Sequence, residues 1–246
     1  MIVGTAHRRR RYIVPSTVTD AANLASWHDA SDASTQFTDT GRTTLASVND
    51  LVAAWADKSA FGNHITQATP QARPMAVLNG AYRELAFDAG DYLTRATFTQ
   101  GNLGTSTIYV VATSNVASPG NHECVVASVA PYFRHYHIGA GYNFYNGEVL
   151  TGGGSVNHTV PRIVRLRYVP GVQQYYITDM SAPVGTAGTK AAPVFNGLVV
   201  GAALAADVVQ YALNGRIREL RAYAADHSNA LAATVKAELA SKWGTI

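Results

Sequence analysis

The feature that most constrains the fold of this chain is a series of short strand-like runs separated by turn signals. Runs rich in β-branched and aromatic residues occupy residues 106–113 (STIYVVAT), 162–169 (RIVRLRYV) and 173–179 (QQYYITD). Pro170 and Gly171 separate the last two runs, which predicts a hairpin. Asn79-Gly80 is a second strong turn signal and splits residues 73–93 into short strands. Turn signals recur at intervals of roughly 8–12 residues, the spacing typical of a β-sandwich. The series therefore predicts an all-β, antiparallel fold.

The composition agrees with this prediction. Of the 246 residues, 47% are hydrophobic and only 14% are charged, so the polar surface must come largely from Ser, Thr, Asn, Gln and Gly. Helical proteins usually carry more Glu and Lys. A chain of this length can bury a large core, and all-β sandwiches of this size often form one domain. We expect a domain over residues 21–246, preceded by an arm over residues 1–20.

The N-terminal arm, residues 1–20, carries most of the net charge. Its basic run consists of Arg8, Arg9, Arg10 and Arg11. Subtracting these four charges from the formal net charge of +3 leaves −1, so the rest of the chain is nearly neutral. Such a local run does not predict a nucleic-acid-binding face. We expect the arm to be extended and to dock on a neighbouring subunit, with residues 12–19 adding a strand to a partner's sheet.

The chain shows no apolar run of signal-peptide length behind its basic start and no apolar stretch long enough to cross a membrane. Its single cysteine, Cys124, excludes an intrachain disulfide and lies in an apolar run, where a buried thiol is expected. We therefore expect a protein that is assembled in the cytoplasm and does not insert into membranes.

The C-terminal segment has a helical rather than a strand-like periodicity. Its large apolar residues recur at every fourth position, at Leu231, Val235, Leu239 and Trp243. This spacing predicts an α-helix over residues 228–243 that packs its apolar face on the sandwich. Ser228 is suited to the N-cap, and Gly244 to a left-handed C-terminal cap. Glu238 and Lys242 have the spacing of an i,i+4 ion pair.

Four blocks of the sequence resemble the motifs of one superfamily. They are residues 24–35 (LASWHDASDAST), 52–64 (VAAWADKSAFGNH), 85–93 (LAFDAGDYL) and 213–244, which end in Lys-Trp-Gly. Together they resemble the concanavalin A-like lectin/glucanase superfamily, in particular its laminin-G-like branch. The resemblance implies an antiparallel jelly-roll β-sandwich with a C-terminal α-helix. Ala60 and Ala89 stand where this family commonly has Gly, so we transfer no site residue from it.

The resemblance also carries an expectation about function. Single-domain chains with these blocks look like bacteriophage virion proteins of the tail, baseplate, fibre or capsid decoration. We therefore expect a non-enzymatic virion structural protein. Its partners would be other virion proteins, further copies of itself in a homo-oligomer, and host surface glycans. Two alternatives stay open: a free-standing carbohydrate-binding module of a bacterial surface system, and a glycan hydrolase.

Catalytic carboxylates are the main test of the hydrolase alternative. Glycoside hydrolysis uses two carboxyl groups facing each other across the scissile bond. The glucanase branch supplies them as Glu-x-Asp-x-Glu on one strand, a triplet that this sequence lacks. Asp88 and Asp91 are three residues apart and would lie on opposite faces of an extended backbone. Glu219 has no acidic neighbour in the sequence. We therefore predict no catalytic residue and a protein that is not an enzyme.

The stretch Trp27-His28-Asp29 has the residue types of an acid–base site. In a strand, however, Trp27 and Asp29 share one face and His28 points to the other, so His28 and Asp29 are not aimed at each other. We expect Trp27 to fill the interior of the sandwich. Asp29, Ser31 and Asp32 would hold the following turn through hydrogen bonds to the backbone.

Two groups of residues raise the question of a metal. His135 and His137 alternate in a strand-like run and could share a face, but zinc needs a third ligand, and outward-facing polar residues are the simpler interpretation. Asp57, Asp88 and Asp91 are the oxygen ligands that a calcium ion would use, as in some laminin-G-like domains. The sequence has no dense Asp/Asn/Gly loop. We predict no metal or cofactor, with calcium left open.

A glycan site needs aromatic faces with amide or hydroxyl groups nearby and requires no fixed motif. Residues 139–158 provide these groups between Gly-rich segments. The candidate ligand-binding residues are Tyr142, Asn143, Tyr145 and Asn146. The alternative interpretation of this stretch is an ordinary hairpin that turns at Asn146-Gly147.

Overall fold

The computed structural model describes residues 18–116, 123–129, 133–138, 141–146, 149–151, 158–169, 172–177, 183, 185–187, 195–205 and 208–244. In chain order the strands are β1 (Leu24–Asp29), β2 (Gln36–Phe37), β3 (Ala54–Trp55), β4 (Ile65–Thr66), β5 (Met75–Asn79), β6 (Tyr82–Phe87), β7 (Leu93–Arg95), β8 (Ser106–Ser114), β9 (Glu123–Ala127), β10 (Phe133–Ile138), β11 (Gly141–Asn146), β12 (Val149–Thr151), β13 (Arg162–Val169), β14 (Val172–Ile177), β15 (Gly185–Ala187), β16 (Leu198–Val200), β17 (Ala203–Ala205), β18 (Val208–Gln210) and β19 (Gly215–Tyr223). One α-helix, α1 (Asn229–Trp243), and three 3₁₀ turns (Ala21–Asn23, Ala33–Thr35, Pro70–Ala72) complete the described elements.

Two large antiparallel sheets form the body of the protein. The first has the order β15-β14-β13-β8-β19-β6-β5, and the second has the order β12-β11-β10-β9-β16-β7-β4-β3-β2. Strands β1 and β6 share one edge of β19: β6 pairs with its first residues and β1 with its last. Strands β17 and β18 form a small separate pair. The predicted all-β sandwich with a C-terminal helix is confirmed, whereas the predicted arm falls mostly on residues outside those described.

The first sheet lies between the second sheet and the helix, so both of its faces are buried. In β8, Ile108 and Val110 belong to the core between the sheets, whereas Tyr109 and Val111 pack in a cluster with α1. Successive side chains of a strand point to opposite faces, which explains the alternation. A strand that is buried on both faces reads as a continuous apolar run, and this is how residues 106–113 read in the sequence.

The two hairpins that the turn signals predict are present. Strands β5 and β6 pair from Met75↔Ala86 to Asn79↔Tyr82, and Gly80 adopts a left-handed φ of 61° in the turn. A residue with a Cβ is strained at such a φ, which accounts for the Asn-Gly signal. Strands β13 and β14 pair up to Val169↔Val172, on either side of Pro170-Gly171.

Helix α1 begins and ends with the predicted caps. The Ser228 hydroxyl accepts a hydrogen bond from Leu231 N at 3.3 Å, and Gly244 has φ 60°. The buried face is formed by Ala232, Val235, Leu239 and Trp243. Leu231 is only half-buried, and Ala232 takes the interior position instead. Within the described part of the chain, no helix has the length and apolar character needed to cross a membrane.

The predicted ion pair between Glu238 and Lys242 is not the one that forms. Glu238 accepts from Arg221 at 2.6 Å, and it also accepts a hydrogen bond from Thr19. Lys242 donates to Asp29 and Glu219 on the sheet below. Both side chains lie at the edge of the helix that faces the sheet, so buried partners of opposite charge replace the local pair.

Candidate functional site

The residues predicted to bind a glycan lie on a strand whose side chains are outside the described part of the structure. Tyr142, Asn143, Tyr145 and Asn146 belong to β11, which pairs with β10 and β12. The pairing agrees with the alternative interpretation of this stretch as a hairpin. The side chains of His135 and His137 on β10 are likewise outside the description, and so are Arg8, Arg9, Arg10 and Arg11.

The Trp27-His28-Asp29 stretch forms part of β1, and its side chains alternate as predicted, but the prediction for Trp27 is wrong. Trp27 is half-buried on the helix side of the first sheet, with its ring beneath Lys58. His28 is the residue that enters the space between the sheets, where its ring lies 5.4 Å from that of Trp55. Burial lowers the pKa of His28 to about 4, so the imidazole is neutral at neutral pH and is not an acid–base group there.

Beneath the helix, two fully buried carboxylates face each other across neighbouring strands. Asp29 of β1 is in direct register with Glu219 of β19. Glu219 therefore has an acidic neighbour in space. Local sequence patterns could not reveal this contact, because the two residues are 190 positions apart. Its Oε1 accepts from Trp27 Nε1 at 2.9 Å and Arg221 at 2.7 Å. Its Oε2 accepts from Lys242 and from Trp243 Nε1, both at 2.7 Å.

Asp29 is held just as fully. It accepts from the backbone and hydroxyl groups of Ser31, as the turn prediction required, and it also contacts Lys58 at 3.0 Å and Lys242 at 2.6 Å. Burial alone would raise the pKa of this carboxyl, but the two lysines outweigh it and hold the pKa below its ordinary value. Asp29 stays ionised at neutral pH, and the oxygens of both carboxylates already accept hydrogen bonds or meet cations, so the pair is not free to donate a proton to a leaving group. We call Asp29, Glu219, Lys58, Lys242 and Arg221 the helix-side cluster and assign it to the scaffold.

Asp57, one of the candidate calcium ligands, is committed to its own turn. Its carboxylate accepts from the backbone N–H groups of Trp27 at 2.7 Å, Ser59 at 2.9 Å and Asn63 at 2.7 Å. The Ser59 hydroxyl donates to it as well, at 2.6 Å. These bonds tie the β3–β4 loop to β1 and leave the carboxylate little capacity for a cation.

An open cleft of about 460 Å³ lies at one end of the first sheet, and we call it the end cleft. Its walls include Leu51, Gln71, Arg73, Met75, Asp88, Asp91, Asn115 and Asn214. Its volume is in the range of small-molecule sites.

Three of these residues form a row across adjacent strands. Gly215 of β19 pairs with Phe87 of β6 on one side and with Ser114 of β8 on the other. The residues next to them, Asp88, Asn214 and Asn115, therefore stand side by side at a spacing of about 5 Å. Gly215 allows this close approach, since a Cβ there would lie 2.1 Å from the carbonyl oxygen of Thr113.

The row presents both donors and acceptors. The Asn115 amide donates to Asn214 Oδ1 at 2.8 Å, which fixes the two side chains relative to each other. Among the described residues, the Oδ1 atom of Asn115 and the Nδ2 group of Asn214 are left without a hydrogen-bond partner. An acceptor, a donor and the exposed Asp88 carboxylate thus line one wall of the end cleft.

Asp88 and Asp91 line the same cleft, because the backbone between them is not extended, the condition under which they would lie on opposite faces. The backbone between them is a turn rather than a strand: Ala89 has φ 25°, and Asp88 N donates to Asp91 Oδ2 at 2.8 Å. Burial raises the pKa of Asp91, and the neighbouring Asp88 carboxylate adds to the rise. The sequence signal that could have indicated this turn is the Asp-Ala-Gly-Asp spacing, in which polar turn residues follow a strand directly.

The rest of the lining comes from Leu51, the Pro70–Ala72 turn and the start of β5. Leu51 and Met75 are exposed there and form its apolar surface. Arg73 is not free to bind an anion, because its guanidinium donates to the carbonyl oxygens of Gln67 at 2.9 Å and Ala68 at 2.7 Å. The cleft therefore combines an apolar wall with a polar, net acidic one.

The sequence of the chain matches no known protein family and no curated protein. Its fold does match solved structures. A sialidase from Trypanosoma rangeli in complex with sialic acid aligns with 95% of this chain, at a TM-score of 0.63 and 12% identity. A GH54 α-L-arabinofuranosidase aligns with 88% of it, at a TM-score of 0.63 and 11% identity. The chain spans only 36% of the sialidase and 62% of the arabinofuranosidase.

These alignments contradict the prediction that the chain is not an enzyme. The prediction rested on the absence of a Glu-x-Asp-x-Glu triplet, but that triplet is only one arrangement of carboxylates. The sialidase and the arabinofuranosidase are glycosidases that contain this sandwich. Neither similarity supports or excludes a virion setting, which stays a prediction. At these identities the comparison establishes the fold alone, an antiparallel β-sandwich that also occurs within the two glycosidases.

Proposed function

We propose that the end cleft binds a neutral saccharide. The observation that carries the proposal is the row Asp88–Asn214–Asn115. It places a carboxylate, an amide donor and an amide acceptor about 5 Å apart along one wall. Such a row of donors and acceptors can engage the hydroxyl groups of a sugar ring, and Leu51 and Met75 add apolar surface to the same cleft.

The charges in the cleft favour an uncharged sugar. Asp88 and Asp91 are both acidic, and the one basic residue among the lining residues, Arg73, is engaged with backbone carbonyls. An anionic sugar would place its carboxylate in a negative field without a free cation to pair with. We therefore expect neutral pentoses or hexoses to bind better than sialic acid.

The similar solved structures add support from their ligands. One of the arabinofuranosidase structures contains arabinofuranosyl-α-1,2-xylobiose, a neutral oligosaccharide, and aligns with 88% of this chain at a TM-score of 0.63. That ligand belongs to the other protein. It gives a reason to begin the search with neutral arabinoxylan fragments.

Isothermal titration calorimetry on the whole chain tests the proposal. The panel contains arabinofuranosyl-xylobiose together with xylo-, gluco- and galacto-oligosaccharides, with sialyllactose as the charged comparator. Asn214→Ala should weaken the end-cleft binding at least tenfold, about 1.4 kcal/mol, because it removes a donor and releases Asn115. Leu78→Ala, at an exposed position of β5 that is not among the lining residues, is the matched control. Preference for sialyllactose, or unchanged affinity in Asn214→Ala, would contradict the proposal.

The same mixtures separate binding from hydrolysis. Release of reducing sugar that disappears in Asp91→Asn would show that the cleft is catalytic, since the raised pKa of Asp91 is a property that general acids need. Binding without release would leave the end cleft as a recognition site.

We further propose a bacteriophage particle as the setting in which this site works. The sequence blocks and the basic run Arg8–Arg11 support this proposal, with the arm anchoring the sandwich to a neighbouring subunit or to a second copy of the chain. Mass spectrometry of purified virions tests it. Absence of the chain from the particles, or particles whose assembly is unaffected by deletion of residues 1–17, would contradict it.

A further inference from the structure

A second cleft, of about 420 Å³, lies at the opposite end of β8 and β19, where its lining includes Thr105 before β8 and Ala224 after β19. Its lining includes Asn23, Phe61, Gln100, Asn102 and Thr105, and we call it the far cleft. Thr105 precedes the first residue of β8, whereas Asn115 of the end cleft follows the last. The nine residues of β8 separate these positions, so the two clefts are about 30 Å apart.

The aromatic residue of the far cleft is held out from the surface by a rigid turn. Phe61 is 37% exposed, at the tip of the β3–β4 loop. Its N–H donates to the Ser59 hydroxyl, and the Asp57 carboxylate holds Ser59 and Asn63 on either side. Gly62 completes the turn at φ 66°, a conformation that favours glycine. The backbone that carries the exposed ring is therefore held in a hydrogen-bonded turn, which reduces the entropy lost when a ligand stacks on the ring.

The remaining lining is polar and uncharged. Asn23 and Asn102 are exposed, and Gln100 is fixed by the Asn63 amide, which donates to its Oε1 at 2.9 Å. None of the described residues that line the far cleft carries a formal charge. An aromatic face beside several amides is the combination that binds the apolar face and the hydroxyl groups of a neutral sugar together.

We propose that the far cleft is a second saccharide site, so that the domain is bivalent, with one site near each end of β8. The class of ligand rests on the function proposed for the end cleft, but the aromatic ring and the neutral lining are independent of it. Sites about 30 Å apart on one rigid body can engage two segments of a long polysaccharide or two separate chains. Simultaneous engagement raises the apparent affinity for a polymer well above the affinity of either site.

Calorimetry and amide NMR on the whole chain test this proposal with the neutral oligosaccharides of the same panel. We expect two sites for each wild-type chain, and shifts in the amide signals of residues 100–105 during titration. Phe61→Ala should remove one site and leave the one that Asn214→Ala removes. Phe61→Tyr keeps the ring and should keep both sites, which separates loss of stacking from loss of folding.

The possible results distinguish the two proposals. One site that is lost in Asn214→Ala and unaffected in Phe61→Ala would overturn the far cleft and leave the end cleft standing. One site that is lost only in Phe61→Ala would overturn the end cleft instead. No binding of any oligosaccharide, with native-like amide spectra, would overturn both.

Discussion

The helix-side cluster and the end cleft each bring two carboxylates together, and they treat them in opposite ways. Asp29 and Glu219 are fully buried and meet Lys58, Lys242 and Arg221. Asp88 and Asp91 lie at a strand end, next to amides that keep unused hydrogen-bonding groups among the described residues. Every carboxylate oxygen of the first pair accepts a hydrogen bond or contacts a cation. In the second pair some carboxylate oxygens have no such partner among the described residues.

This difference separates a stability element from a recognition element. A buried charge is tolerated only when its partners are all present, so removing one partner is costly. Polar groups at the mouth of a cleft are hydrated without a ligand and can exchange water for sugar hydroxyls at little cost. Substitutions in the helix-side cluster should therefore change stability, whereas those in the end cleft should change binding.

The largest effect is expected for Glu219→Ala. The substitution removes the acceptor of two indole N–H groups and of two cations, and should lower the free energy of unfolding by about 3–5 kcal/mol. Urea denaturation measures this change. Asp88→Ala is the matched control and should cost less than about 1 kcal/mol. If both variants lost the same free energy of unfolding, the proposed difference between a stabilising pair and a recognition pair would be wrong.

The next largest effect is expected for Lys242→Met. It keeps the length and much of the apolar surface of the side chain but removes the cation that bridges Asp29 and Glu219, leaving Lys58 and Arg221 as partners. We expect a loss of about 2–3 kcal/mol. Lys236→Met on the same helix should stay within about 0.5 kcal/mol. If the two lysines gave the same result, the bridge would not contribute to stability.

The sequence predicted the parts of this molecule that depend on local chemistry. Ser228, Gly244 and Gly80 each satisfy a local backbone requirement, and the hairpins and the helix followed from such residues. The burial of both faces of the first sheet was visible only as the apolar run at residues 106–113. The sandwich itself followed from repeated runs and turn signals, because alternation and spacing are properties of neighbours in the chain.

Both carboxylate pairs depend on contacts that the sequence does not reveal. Glu219 meets Asp29 through strand register, and Lys242 bridges these two buried carboxylates instead of pairing with Glu238, which Arg221 and Thr19 engage. Asp88 and Asp91 converge because the backbone turns at Ala89, a residue type that does not announce a positive φ. Trp27, which was expected inside the sandwich, lies on the helix side of the first sheet, and His28 lies between the sheets instead. The sequence did not show that a helix covers the face to which Trp27 points.

The pH dependence of stability distinguishes the pairs by sign. The pKa of Asp29 is held below its ordinary value, so its contribution to stability is complete above the unfolded-state pKa and is lost as pH falls through the folded-state pKa. Asp29→Asn should cost about 2 kcal/mol at pH 7 and should flatten the fall in stability on acidification. Denaturant midpoints measured between pH 7 and pH 2 check this. An unchanged acid limb would show that another carboxylate controls it.

The smallest effect, and the one of opposite sign, is expected for Asp91→Asn. The folded-state pKa of Asp91 is raised, mainly by burial, so the ionised form opposes folding at neutral pH. Stability contributed by this group therefore grows as pH falls through the raised pKa toward the unfolded-state value. Asparagine keeps an oxygen for the Asp88 N–H, so the variant should be as stable as wild type or slightly more stable at pH 7. A marked loss would show that the Asp91 charge is matched by a cation, as in the helix-side cluster. A neutral or stabilising result would show that the charge of Asp91 does not contribute to the stability of the fold, unlike the charges of the helix-side cluster.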